Sequence, residues 1–437
     1  MSKSIHRNRE KTLGVPELIA IALGGMVGGG IFTVLGISVS MVGVFTPIAI
    51  VLGGIIASFA AYSYIKLGVY YKDEGATYSF FKNTFPNSHF AASLIGWWVI
   101  FGYISTLALY AYTFSAYAIS GFEFANNVWI RKAVAGTIIL TFTLINLWSV
   151  KGMGKVEDIM VYTKLVILAI ISFILMSHPT TTLPKLFEST HDVTILSVLI
   201  VASITFVAYE GFQLVINAVN EMKSPEINIP KAIYSAIFLA ILIYVIISIG
   251  AILAIPFEDI IKNKEYALAS GAKQVIGSLG SNLVIAGALL ATSSAISGTL
   301  FGSSRQMSVI AQDGYMPTFL AKRKNSIPIY SIITMSLFAF SLILIGNLEV
   351  ILEFGSITFL LVSLLMAIAN LKIYKKTNSS LGITIVSLIG LILGAILILY
   401  YEFTNKIEQM YFICLLYVLL TIASWLFSKF HSKKEYL

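Results

Sequence analysis

The chain has 437 residues, of which 57% are hydrophobic and only 11% are charged, and its mean hydropathy is +0.88. Soluble domains average about 25% charged residues, so this composition excludes a soluble globular protein and indicates a polytopic membrane protein. The net charge of +8 does not indicate nucleic-acid binding, because the Lys and Arg residues fall in short loops between apolar segments. The single cysteine, Cys414, gives neither a disulfide framework nor a cysteine metal site.

Twelve apolar segments of about 20 residues are long enough to cross a bilayer. They cover residues 14–41, 45–70, 90–120, 130–150, 156–177, 193–219, 230–255, 281–311, 328–346, 348–371, 381–401 and 407–428. The basic start of the chain leads into an apolar run that is too long and too rich in glycine for a cleavable signal peptide. Most Lys and Arg residues fall in loops on the side of the N-terminus, which predicts a multi-pass protein of the cell membrane with both termini in the cytoplasm.

The first apolar segment contains five glycines among residues 24–32. Each glycine costs roughly 1 kcal/mol relative to alanine in a helix interior. A freed backbone group in lipid has no water to bind, so irregular backbone at that depth occurs only where protein buries it or where it lines a cavity. The stretch is therefore predicted to be an unwound hinge whose N–H and C=O groups face a ligand. A glycine face for close packing against another helix is the alternative.

The sixth segment is predicted to be broken as well, at residues 206–212. Breaks in the first and sixth spans suggest two inverted repeats of five spans, with discontinuous helices that meet at the membrane midplane. The predicted organisation is a cytoplasmic N-terminal segment (1–13), a first repeat (14–177), a second repeat (193–371), two appended spans (381–428) and a cytoplasmic tail (429–437). The fold class is thus an all-α membrane protein of about twelve helices.

Three stretches between the spans have distinct patterns. Residues 77–89 mix aromatic and polar side chains and predict a short interfacial helix. Residues 257–273 form an amphipathic segment on the predicted outer side, where they are expected to act as a lid over the entrance. Residues 313–324 predict a cytoplasmic turn followed by a short helix.

Two ionisable residues lie well inside apolar spans. A charged lysine at a helix centre costs about 2.5–3.5 kcal/mol on insertion scales, so Lys164 in the fifth span is expected to face the bundle interior. There it is either a coupling residue that binds and releases a proton or a fixed positive tether; snorkelling to the headgroups is a third alternative. Glu210, in the predicted break, is expected to accept from a ligand ammonium, to relay a proton, or to cap a neighbouring half-helix.

Other candidates carry hydroxyl or aromatic groups at membrane depth. Phe206 lies one turn before Glu210 and is either a gate over a midplane pocket or part of the core. Tyr103 in the third span offers a hydroxyl, which in most such cases bonds a neighbouring helix. Ser293 and Ser294 in the eighth span either bind a cation or make ordinary bonds between helices.

No catalytic constellation is present in the sequence. The five histidines lie in loops or at termini without a metal-ligand spacing, and no GxxxxGK[ST] phosphate loop occurs. The sequence therefore predicts no enzyme, no ATP-driven pump, and no metal, cofactor or nucleic-acid partner. Membrane lipid is an expected partner. The sequence leaves the oligomeric state open and is compatible with a monomer.

Three motifs carry a resemblance to a known family. They are the glycine stretch of residues 24–32, the sixth-span sequence AYEGF followed by an acidic residue, a proline and IPKAI, and the sequence AQDGYMP at residues 311–317. Over nearly its whole length the chain resembles the amino acid–polyamine–organocation superfamily, and within it prokaryotic proton-coupled amino acid permeases. The resemblance implies twelve spans in a leucine-transporter-type fold.

The resemblance also implies a substrate site at the two breaks. In this family the α-carboxylate of the substrate lies on N–H groups of the first break, here those of residues 27–30. The α-ammonium lies on carbonyl groups around both breaks, here those of Gly25 or Met26, Phe206, Ala208 and Glu210. The predicted substrate site as a whole comprises Gly25, Met26, Val27, Gly28, Gly29, Gly30, Ile31, Tyr103, Phe206, Ala208, Tyr209, Glu210 and Gly211.

Coupling residues are implied in the same way. A fifth-span lysine of the family lies where sodium-driven relatives bind a sodium ion, beside a first-span glycine and an eighth-span serine. By position these are Lys164, Gly24, and Ser293 or Ser294. An ammonium group there replaces the ion, which argues against sodium coupling.

Together these features predict a secondary transporter that imports amino acids with protons by alternating access, with Phe206 closing the outer path. An exchanger of amino acids or polyamines is the nearest alternative. A membrane sensor that binds without transport is less favoured, because no loop or tail is long enough for a signalling domain. Glu210 replaces an apolar residue of some relatives, so the substrate side chain is open and includes cationic or amine groups.

Overall fold

The computed structural model describes residues 13–73, 75–148, 151–183, 186, 193–263, 266–324 and 327–435, with only the backbone for 151–159, 276 and 430–435. The predicted N-terminal segment (1–13) thus lies outside the described residues except for Leu13, as do the last two residues of the predicted tail (429–437). Within the described ranges the chain is almost entirely helical and contains no β-strand.

The first half of the described chain contains seven α-helices. They are α1 (Val15–Met26), α2 (Gly29–Val42), α3 (Thr46–Tyr71), α4 (Ala76–Thr84), α5 (His89–Ile119), α6 (Val128–Trp148) and α7 (Lys151–Ser177). A short 3₁₀ turn, Gly43–Phe45, joins α2 to α3.

From residue 195 onward the described chain contains ten further helices. They are α8 (Ile195–Thr205), α9 (Leu214–Asn217), α10 (Pro225–Ala254), α11 (Phe257–Lys262), α12 (Ala267–Ile276), α13 (Ser278–Gln312), α14 (Ile329–Ile345), α15 (Leu348–Lys372), α16 (Leu381–Asn405) and α17 (Ile407–Glu435). Two 3₁₀ turns are Phe206–Tyr209 and Thr318–Ala321. Helix α17 continues through residues predicted to be a tail.

Ten stretches of the described residues are long and apolar enough to cross a membrane, and one of them, Gly29–Tyr71, contains both α2 and α3. Helices α1 and α14 are apolar but shorter. The chain is therefore a multi-pass membrane protein built from α-helices. The number of twelve spans stays a prediction.

Two kinds of surface explain how these helices pack. Large apolar side chains such as Phe173, Leu337 and Phe403 are more than half exposed, as expected where lipid tails cover the protein. Between helices, glycine lets backbones approach: a Cβ atom on Gly54 would lie 2.3 Å from a side-chain carbon of Ile241. Small residues at such contacts are the usual basis of helix association in lipid, because apolar burial alone gives little gain there.

Helix α5 lies at the centre of the bundle, where it packs against α13, α15 and α17. Helix α1 packs mainly against α10, and α7 packs against α13 and α10. The segment before the break of the first span therefore lies among α7, α10 and α13, and the segment after it packs mainly against α5, α8 and α11.

The stretches between the spans form short helices. The predicted interfacial helix is α4, whose Lys82 Nζ lies 2.7 Å from Asp313 Oδ2. The Tyr78 hydroxyl donates to the same oxygen at 2.9 Å. Burial and then the charge of Asp313 raise the pKa of Tyr78, so its hydroxyl stays protonated and remains a donor. The predicted lid consists of two helices, α11 and α12, both of which pack on α2.

Candidate functional site

The first membrane segment is interrupted at Val27 and Gly28. Helix α1 ends at Met26 and α2 begins at Gly29, and Gly28 has φ −108° and ψ −140°, which is not helical. In a regular helix the Gly24 carbonyl would accept from the N–H of Gly28, but that N–H donates to the Met26 carbonyl at 2.9 Å. The interruption therefore frees carbonyl groups of α1 for other donors.

Side chains of neighbouring helices take up two of these carbonyl groups. Lys164 Nζ on α7 donates to the Gly24 oxygen at 2.9 Å, and Lys164 is fully buried. The Tyr110 hydroxyl on α5 donates to the Gly25 oxygen at 3.3 Å. The C-terminal end of a helix carries partial negative charge, so an ammonium group is favoured at this place.

The N-terminal end of α2 presents the opposite polarity. Its N-cap residue is Gly28, which has no side chain to accept from the first N–H groups of the helix. Gly29, Gly30 and Ile31 follow and are buried. Free N–H groups and the positive end of the helix dipole form a site that suits a carboxylate.

The sixth span is interrupted in a different way. Helix α8 ends at Thr205 and continues as the 3₁₀ turn Phe206–Tyr209. Glu210 then adopts an extended conformation (φ −68°, ψ 136°) and Gly211 has φ +129°, before α9 begins at Leu214. A residue with a Cβ atom would be strained at the backbone angles of Gly211.

The two interruptions lie back to back. A Cβ atom on Gly211 would lie only 2.5 Å from the carbonyl carbon of Gly25. A Cβ atom on Gly30 would lie 3.0 Å from Cα of Ala208. Glycine is thus required where the backbone of one interruption contacts the backbone of the other.

Tyr244 on α10 joins the two interruptions by a hydrogen-bonded contact. Its hydroxyl lies 2.7 Å from the Met26 oxygen and 2.9 Å from the Ala208 oxygen. A hydroxyl has one proton to donate, so the two carbonyl groups share it. An ammonium group, with three N–H donors, would satisfy both oxygens.

A cavity of about 10 Å³, room for about one water molecule, lies beside the interruptions. Its lining residues are Gly25, Tyr103, Thr106, Tyr110, Glu210, Gly211, Gln213, Leu214, Thr299 and Phe359. Four residues of the predicted substrate site, Gly25, Tyr103, Glu210 and Gly211, are thus brought together around one space.

Glu210 is the one acidic residue among those that line this cavity. Its Oε2 accepts from Gln213 Nε2 at 2.8 Å, and the same nitrogen lies 3.4 Å from the Tyr103 hydroxyl. Gln213 Oε1 in turn accepts from the N–H of Gly211 at 3.0 Å. Glu210 Oε1 is buried and has no hydrogen-bond partner among the described residues. One carboxylate oxygen is therefore held in place and the other is available to a donor in the cavity.

The remaining predicted residues are placed as follows. Phe206, the predicted gate, is fully buried and does not belong to the cavity lining described above. The Ser294 hydroxyl is buried and has no partner in the described part of the chain. Ser293 is half-buried. The Tyr209 hydroxyl donates to the Ile50 carbonyl on α3 at 2.7 Å, which anchors the second interruption on its other side.

Sequence reasoning missed several side chains of this site. Thr106, Tyr110 and Thr113 of α5 recur at helical spacing with the predicted Tyr103 and so share its face, which a search for hydroxyl groups on a single face would have found. That face meets the glycine stretch: a Cβ atom on Gly29 would lie 3.1 Å from Thr113 and Tyr110 atoms. Tyr244 gave no local signal, because a tyrosine in an apolar span has no distinctive neighbours in sequence.

Residues 13–423 match the family model described as amino acid permease. This chain belongs to the amino acid permease family. The permease is 29% identical over 407 residues to an uncharacterised protein of Methanocaldococcus jannaschii, with 91% of each chain covered. It is 27% identical over 395 residues to the inner membrane transport protein YbaT of Escherichia coli (88% and 89% covered). It is 26% identical over 395 residues to the branched-chain amino acid permease BcaP of Bacillus subtilis (84% and 82% covered).

The family resemblance found in the sequence is therefore confirmed. Members of this family are membrane transporters and not enzymes, and the class of substrate is a small molecule, an amino acid. The matched range begins before α1 and extends into α17, so both interruptions of this permease and the lysine at the Gly24 carbonyl lie within it.

Proposed function

We propose that this permease is a secondary active transporter that imports amino acids together with protons by alternating access. The observation that carries the proposal is the back-to-back placement of two interrupted helices around one buried cavity. Their backbone N–H and C=O groups supply hydrogen-bond donors and acceptors at membrane depth, so no charged side chain is required for this purpose. A zwitterion needs both kinds of group at once, and this arrangement provides them.

The substrate's carboxylate would lie on the N–H groups at the start of α2, beside Gly28 and Gly29. Its ammonium would replace the Tyr244 hydroxyl at the carbonyl groups of Met26 and Ala208. The substrate side chain would then reach toward Glu210, whose Oε1 favours an amine or another donor. The cavity must widen to admit a substrate, so the substrate binds best to a more open arrangement of the bundle.

The proton-coupling residue would be Lys164. Its ammonium compensates the partial negative charge at the C-terminal end of α1 and donates to the Gly24 carbonyl. This carbonyl lies next to the backbone carbonyl groups that would bind the substrate. Loss of its proton would remove both interactions and loosen the attachment of α1 to α7. Proton binding and the position of the first half-helix are linked in this way, which is the requirement for coupling.

The finer architecture belongs to the same proposal. The helices would form two inverted repeats of five spans, 14–177 and 193–371, followed by two appended spans at 381–428. The first and sixth spans would be the discontinuous ones, and Phe206 would close the outer path. The distribution of Lys and Arg residues supports cytoplasmic termini and insertion in the cell membrane.

Purified permease in liposomes tests the transport mechanism. A panel of labelled amino acids is offered with a pH gradient or a sodium gradient imposed separately. Accumulation driven by the pH gradient alone is expected. Counterflow without net uptake would show an exchanger instead, and binding without any flux would show a sensor.

A further inference from the structure

A second buried ionic cluster lies where α15 begins and α16 ends. Lys406, just after α16, lies 2.9 Å from Glu349 Oε2 and 3.1 Å from Glu353 Oε1. Glu402 belongs to the last turn of α16. The charge distribution of the sequence predicts that this end of the bundle faces outward.

Two carboxyl groups of the cluster are shielded from solvent. Glu353 is 1% exposed and Glu402 is 0% exposed. Neither oxygen of Glu402, nor Oε2 of Glu353, has a hydrogen-bond donor among the described residues. The two carboxyl groups are neighbours that interact with each other. Such a contact is a hydrogen bond only when one of the two carries a proton, because an ionised carboxylate only accepts.

The charges of the cluster also favour a state in which one of the two carboxyl groups is protonated. The titratable side chains that act on the pair are Glu349, Tyr401 and Lys406. Burial lowers the pKa of Lys406, but Glu353 and Glu349 outweigh it and raise that pKa, so Lys406 stays positive. Three ionised carboxylates beside one ammonium would leave two uncompensated negative charges in a buried place. One shared proton removes one of them, as in other carboxyl pairs that cannot both ionise.

We propose that Glu353 and Glu402 form a proton-binding site separate from Lys164, in which the two carboxyl groups hold one proton between them. The proton joins α15 to α16 through an O–H···O bond. Its loss leaves two adjacent carboxylates that repel each other and separate the helix ends. The macroscopic titration belongs to the pair and not to either residue.

The site is connected to the transport machinery through α15. Ser356 lies three residues after Glu353 on α15, and its hydroxyl donates to the Ile204 carbonyl at 2.8 Å. Ile204 precedes by two residues the 3₁₀ turn that begins at Phe206. A change in the spacing of α15 and α16 at the pair therefore reaches the second interruption, so external protons modulate the outer half of the path.

Infrared spectroscopy of the full-length permease in lipid tests the site without any transport. Wild type is expected to show a protonated-carboxyl band that shifts in D₂O and disappears as the pH rises. Glu402→Gln and Glu353→Gln should each abolish that band, because the glutamine amide replaces the shared proton as donor. Glu349→Gln, which touches Lys406 but is not part of the pair, should keep the band but lose it at a lower pH, because one of the negative charges that favour the shared proton is removed.

Thermal unfolding supplies a second measurement. Wild type should lose stability as the pH rises, since deprotonation leaves two buried carboxylates, and Glu402→Gln should lose this dependence. A band that survives both pair variants, or its absence from wild type at neutral pH, overturns the proposal. Uptake by Glu402→Gln that still follows a pH gradient supports a site distinct from Lys164. Loss of all coupling in Glu402→Gln but not in a Lys164 variant would instead overturn the coupling role of Lys164.

Discussion

Methionine has a side chain of similar length to lysine but no ammonium group. Lys164→Met therefore removes the contact with the Gly24 carbonyl. A hydrogen bond to a charged group contributes about 1.5–3 kcal/mol. A charged lysine at membrane depth costs about 2.5–3.5 kcal/mol on insertion scales. These terms oppose each other, so Lys164→Met should change the free energy of unfolding by no more than about 2 kcal/mol and leave the protein folded.

The same substitution should have a large effect on coupled transport. Symport of a zwitterion with one proton moves one positive charge, and an inside-negative potential of about 100 mV is worth about 2.3 kcal/mol per charge. That energy corresponds to an accumulation of about 50-fold. Wild type should approach this value in liposomes, whereas Lys164→Met should only equilibrate the substrate and should keep counterflow.

The assay follows a labelled amino acid in liposomes while the pH gradient and the membrane potential are imposed separately. Lys262→Met, at an exposed lysine of α11, is the matched control and should behave as wild type. Uptake by Lys164→Met that still follows an imposed pH gradient would refute the coupling role of Lys164.

Three further substitutions test the substrate site. Tyr244→Phe should cost about 1–3 kcal/mol of stability in thermal unfolding because it leaves buried carbonyl groups unsatisfied, and it should reduce uptake. Glu210→Gln should weaken the apparent affinity of competing cationic amino acids about 10- to 100-fold relative to neutral ones. This factor corresponds to the loss of one hydrogen bond to a charged group. Gly211→Ala should abolish uptake because its Cβ atom meets backbone, whereas Gly390→Ala, with no atom within 4 Å of the new Cβ, should be tolerated.

Each of these has a clear contrary result. Equal uptake by Tyr244→Phe and wild type would show that the hydroxyl does not link the interruptions. An unchanged order of competing amino acids with Glu210→Gln would remove that residue from side-chain selection. Full uptake by Gly211→Ala would contradict the close backbone contact of the two interruptions.

The amino-acid sequence was sufficient to predict the family and an all-helical, multi-pass membrane protein. Glycines at 24–32 and the AYEGF sequence predict two interruptions because backbone preference is local: it depends on a residue and its neighbours along the chain. Likewise, Lys164 and Glu210 were found because an ionisable group in an apolar span is visible without any knowledge of packing.

The tertiary structure alone decided which groups meet. Tyr110 and Tyr244 reach the carbonyl groups of α1 from helices far away in sequence, and Glu353 lies beside Glu402 from a different span. Such contacts depend on the rotation and offset of each helix against its neighbours, which apolar patterns leave undetermined when a helix is apolar on every face. The sequence thus determined that backbone groups would be freed inside the membrane, and the packing of the bundle determined which side chains bind them.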